Sequence, residues 1–81
     1  MENSLEQYIA KSSELLVDIN AELDEQDIFI AKIKNRYLLS KGTALESDYA
    51  ELLRKANVQK KKLLSLKMNV KVRLAIKRLF N

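Results

Sequence analysis

The sequence contains no cysteine, no histidine, no proline and no tryptophan, and a single glycine in 81 residues. Without cysteine there is no disulfide scaffold and no thiolate chemistry. Without histidine there is no imidazole acid–base catalysis and no His-ligated metal. No charge-free stretch exceeds four residues, whereas a membrane-spanning helix needs about 20 predominantly apolar ones. The opening Met1-Glu2-Asn3-Ser4 lacks the basic and apolar regions of a secretory signal. A single domain over residues 1–81, located in the cytoplasm, is the expectation.

The lack of proline, the one glycine and the abundance of Leu, Ile, Lys, Glu and Ala favour helix nearly throughout. In the first half, Leu5, Ile9, Leu16, Ile19, Leu23, Ile30, Ile33 and Tyr37 recur at spacings of four and three, with Ser12 and Gln26 in the two remaining positions of that register. This heptad pattern predicts one helix packed along its length, over about 4–40 and roughly 50 Å long. Asn3 with Glu6, or Ser4 with Gln7, supplies a capping box at its start. The lone Gly42, in Ser40-Lys41-Gly42-Thr43, is a helix stop, and Thr43 with Glu46 forms a start signal immediately after it. A stop followed at once by a start is a short turn, and short turns join antiparallel neighbours. The predicted fold is all-α: an antiparallel, coiled-coil-like hairpin with helix two over about 44–80. Below roughly 70–80 residues one core rarely supplies more than about 3–5 kcal/mol, so a partner or self-association is expected to complete it.

In helix two the inner stripe reads Leu45, Tyr49, Leu52, Ala56, Leu63, Leu66, Val70 and Leu74. A second stripe begins only after Lys62: Leu64, Met68, Val72, Ala75 and Leu79. Helix one carries a weaker outer stripe in Ala10, Val17, Ala21 and Ile28. A hairpin has one inner face per helix, so an apolar face on the other side must be buried against something else. Leu64, Met68, Val72, Ala75 and Leu79 are therefore the candidate partner-binding residues. Val70-Lys71-Val72-Arg73-Leu74-Ala75-Ile76 also alternates as a strand would; two helical stripes on different faces produce the same local pattern, and helix is the reading adopted.

Charge divides between the halves: residues 1–45 hold 5 basic and 8 acidic side chains, residues 46–81 hold 10 and 3. Lys60, Lys67, Lys71 and Arg78 share a face, as a row tracking phosphate would. With the turn at Gly42, residue i lies level with about residue 85 − i, which places Lys60 near Asp24 and Glu25, Lys67 near Asp18, Lys71 near Glu14 and Arg78 near Glu6. Intramolecular pairing is the preferred reading, because no aromatics interleave with the row as a base-stacking surface requires; nucleic acid is not the expected partner. The Asp24-Glu25-Gln26-Asp27 cluster has no glycine loop and no cleft. The seven Ser and Thr hydroxyls have no histidine base. The chain reads as non-enzymatic, with no cofactor and no metal.

About 80 residues, two long amphipathic helices, the lone Gly42 turn and Tyr49 within Ser47-Asp48-Tyr49-Ala50 make the chain resemble the small cochaperones of type III secretion needle subunits, the YscE/EscE type. The resemblance implies a bacterial protein that docks onto a larger helical-repeat chaperone and, with it, holds the needle subunit soluble before export. It assigns no contact residue; the docking face comes from the stripe above. Two other readings compete: a homodimeric helical bundle binding RNA through helix-two cations, and a purely structural coiled-coil dimer.

Overall fold

In a computed structural model of the chain, which describes residues 3–80, two helices run antiparallel along their whole length. Helix α1 spans Asn3–Leu39 and helix α2 spans Glu46–Leu79. The result is a rod of 62 × 16 × 14 Å with a radius of gyration of 18.3 Å. A compact chain of this size would have a radius near 12 Å, so the core here is a line of contacts and not a volume. The buried side chains among the described residues lie along one seam.

On α1 the seam follows the heptad register without a break. Ile19, Leu23 and Ile33 are buried, and Leu5, Ile9, Ser12, Leu16, Gln26, Ile30 and Tyr37 are half-buried. The register extends one step past Tyr37 to Ser40, which is buried and donates its hydroxyl to the Tyr37 carbonyl at 2.9 Å. Against this face α2 presents Ala56, Val70 and Leu74 as buried residues. Ile19, Leu23 and Val70 form the centre of the core, with Leu16 and Leu63 packed on it.

The seam of α2 differs from the expected stripe. Counting in threes and fours from Val70 leads to Lys67, Leu63, Lys60, Ala56, Leu53 and Tyr49, all of them buried or half-buried. Leu45, Leu52 and Leu66 stand one position to the side and are 54%, 39% and 40% exposed. The stripe drawn through the leucines crosses from seam to flank because lysines hold two seam positions. A lysine can do so by laying its alkyl stem along the apolar seam with its ammonium in water. In residues 70–76 the strand-like alternation resolves into two helix faces: Val70 and Leu74 face the seam, Val72 and Ile76 face out.

Contacts across the seam fix the alignment. Gln26 donates from Nε2 to the Ala56 carbonyl at 3.1 Å, Lys60 Nζ lies 2.6 Å from Asp27 Oδ1, and Lys77 Nζ stands 5.4 Å from the Tyr8 ring centroid. These pairs bracket the expected mirror relation about the turn. Lys60 pairs with Asp27 and not with Asp24 or Glu25. Among the described residues, Lys67, Lys71 and Arg78 form no ion pair with Asp18, Glu14 or Glu6.

Gly42 occupies the left-handed region at φ +82, as a helix-stop glycine does. The start signal behind it works differently from the expected box. Thr43 donates its hydroxyl to the Ser40 carbonyl at 2.6 Å and accepts the Leu45 N–H at 3.3 Å, and helix α2 begins at Glu46 with no side-chain cap. The Thr43 side chain is thus bound into the turn itself. At the other end, α1 already includes Ser4 in its first turn, and the side chain of Asn3 lies outside the described residues.

Three substitutions test this account by urea denaturation at one protein concentration. Leu23→Ala should cost about 2–5 kcal/mol, comparable with the whole stability of so small a core, and should leave the chain largely unfolded. Gly42→Ala should cost about 1–2 kcal/mol through backbone strain alone, since nothing lies within 4 Å of an added Cβ, and Gly42→Asn should cost less. Gln26→Leu should raise the midpoint, because a polar residue in a seam fixes register at a cost in stability.

Candidate protein-docking surface

The five residues of the outer stripe on α2 are all exposed: Leu64 at 45%, Met68 at 60%, Val72 at 48%, Leu79 at 79%, and Ala75 between them. At about 100° per residue they fall within an arc of about 80°, turned roughly 135° from the seam. They form a continuous apolar ribbon along the last half of α2. The corresponding stripe on α1 is also exposed, with Val17 at 66% and Ile28 at 71%, flanked by Ala10 and Ala21. Six apolar side chains are buried among the described residues, none of them completely, while sixteen large ones are exposed. Singly exposed leucines are ordinary; ribbons at helical spacing are surfaces without a partner.

A second surface was hidden from the sequence reading. On α1, Tyr8, Leu15, Glu22, Phe29 and Arg36 recur every seven residues, one position before the seam. On α2, Leu45, Leu52, Gln59, Leu66, Arg73 and Phe80 do the same. In antiparallel helices these two rows meet on one side of the hairpin. Tyr8, Leu15 and Arg73 line a shallow depression together, Tyr8, Arg73 and Phe80 line the next, and Arg36 and Leu45 line one beside the turn. Leu15, Phe29, Leu52 and Leu66 are each close to 40% exposed, so the floor of this flank is an apolar strip covered on one side only. The opposite flank carries Glu6, Ser13, Asn20, Asp27 and Lys34 from α1 and Ala50, Asn57, Leu64, Lys71 and Arg78 from α2. That side is polar apart from Ala50 and Leu64. The signal for the apolar flank was the seven-residue spacing of Leu45, Leu52 and Leu66, which the leucine stripe had absorbed into the seam.

The basic row on α2 is divided by the same geometry. Lys60 and Lys67 are half-buried in the seam, and Lys60 is paired with Asp27; Lys71 and Arg78 are exposed. The four cations therefore do not stand as one exposed row. The carboxylate cluster is divided as well, with Gln26 turned into the seam and Asp27 on Lys60. Among the described residues no group of three or more potential metal-ligating side chains is brought together, and no helix is long and apolar enough to cross a membrane. Among the described residues, a surface pair shows a shift in charge state. Arg54 donates to both carboxylate oxygens of Glu51, at 3.1 and 2.6 Å, and these hydrogen bonds hold Glu51 below the usual carboxylate range and raise Arg54. The pair spans one helical turn in open water and contributes to local helix stability only.

The chain matches no protein-family model, and no curated protein or solved structure matches it.

Proposed function

We propose that this chain is a non-enzymatic protein-binding module: a small cochaperone that stabilises a larger helical chaperone in the bacterial cytoplasm, and so helps keep a type III secretion needle subunit soluble. The observation that carries the reading is the exposed ribbon of Leu64, Met68, Val72, Ala75 and Leu79 on a hairpin that, among the described residues, buries six apolar side chains. An amphipathic helix lays such a ribbon into the groove of a helical partner, where residues three and four apart act as anchors. The specific pathway comes from the resemblance of the two long helices, the Gly42 turn and Tyr49 to that cochaperone class. The docking face comes from the ribbon.

The partner-binding step is tested by pulling a tagged copy from its native host at moderate salt and weighing the intact complexes by native mass spectrometry. A stoichiometric helical chaperone, with needle subunit in the larger species, is the expected result. Met68→Asp combined with Val72→Asp should abolish the complex while leaving the circular dichroism spectrum essentially unchanged, because both side chains point to solvent in the free hairpin. Binding retained by this variant would remove the ribbon from the interface, and a tagged chain that brings no protein of another sequence would overturn the cochaperone reading.

A further inference from the structure

The apolar flank fits a second copy of the same chain. We propose that two hairpins pack flank against flank into a four-helix bundle, related by a twofold axis parallel to the helices, with both Gly42 turns at one end. The pattern is the first argument. A helix in a lone two-stranded coil uses two positions in seven, whereas a helix in a bundle uses a third position beside them. Both helices here fill that third position on the same side, with Leu15 and Phe29 on α1 and Leu45, Leu52 and Leu66 on α2.

Area is the second argument. A face of 62 by 16 Å offers about 1,000 Å², against about 800 Å² per partner in a stable interface.

Charge selects the arrangement. Residues 1–45 carry 8 acidic and 5 basic side chains, and residues 46–81 carry 3 and 10. An axis parallel to the helices sets α1 of one copy against α2 of its partner, acidic on basic and antiparallel throughout. An axis perpendicular to them sets each helix on its own copy, like on like, and brings Glu22, near the middle of Asn3–Leu39, against itself. In the parallel arrangement levels are conserved, so Leu15 lies between the levels of the partner's Leu66 and Arg73, Phe29 between those of the partner's Leu52 and Gln59, and Glu22 between those of the partner's Gln59 and Leu66. The outer ribbon of Met68 and Val72 stays outside this interface, so this proposal and the cochaperone reading can fail separately.

The test is the solution mass of the untagged full chain by sedimentation equilibrium over a wide concentration range. The expected result is a species of twice the 9.4 kDa chain mass. Leu15→Glu with Leu66→Glu should weaken association by roughly tenfold or more, which corresponds to about 1.4 kcal/mol, while Met68→Asp with Val72→Asp should leave it unchanged. Spin labels on Thr43→Cys should lie within a few helix diameters of one another, about 20–30 Å, and not the 62 Å length of the rod apart. A monomer at every concentration, an assembly of three or more chains, or a dimer indifferent to a folded flank variant would each overturn the proposal, as would labels a rod length apart. If the flank variant does not fold, as its circular dichroism would show, the wild-type mass and the label distance still decide.

Discussion

Everything in this structure depends on one line of contact. Two helices of 37 and 34 residues meet along a seam in which side chains every three and four residues interlock. Among the described residues no third element covers either flank, so each seam residue has neighbours from one opposing helix and water close on both sides. That is why even the best-buried side chain, Val70, retains 3% of its surface. It is also why a polar residue is tolerated in mid-seam. The Gln26 amide reaches the Ala56 carbonyl across the helices, and its remaining polar capacity stays within reach of solvent.

The same thinness explains how the charges are used. Lysine at a core position of a thick domain would have to be neutralised or paired. In a seam one side chain deep, Lys60 and Lys67 are only half-buried, and a lysine there can lay its methylenes along the apolar contact and keep its ammonium in water. Asp27 meets the first of these at 2.6 Å. Within the hairpin the acidic bias of the first helix and the basic bias of the second meet in the Lys60–Asp27 pair, and the remaining charge bears on the order in which further helices can be added.

Much of the architecture was legible in the residues. Helix α1 could be read to within a residue or two, because its apolar positions keep one spacing from Leu5 to Tyr37 and its stop is marked by Gly42. The start of α2 was less legible: Thr43 and Glu46 have the spacing of a capping box, but the hydroxyl is engaged by the turn, and that choice is made by backbone geometry. The inner face of α2 was legible only in part. Hydrophobicity drew the stripe through Leu45, Leu52 and Leu66, where the seam in fact runs through Leu53, Lys60 and Lys67. A rule that assigns apolar residues to the inside fails where long basic side chains serve as apolar stems, and the displaced leucines then mark the second surface. The outer ribbon from Leu64 to Leu79 stood out because the corresponding positions before Lys62 carry Ser47, Ala50, Arg54 and Asn57, with no large apolar side chain among them.

The turn at Gly42 also orders the chain in time. Contacts beside the turn join residues close in sequence, whereas contact between Tyr8 and Lys77 closes a loop of nearly the whole chain. Loop-closure entropy rises only slowly when each new contact forms next to one already made, so the hairpin zips from the turn toward its open end, as local contacts precede distant ones. The open end is then the last part to form and the first to fray. It carries the C-terminal half of the outer ribbon together with Tyr8 and Phe80, so one part of each exposed apolar surface lies where the rod is most easily opened and reclosed.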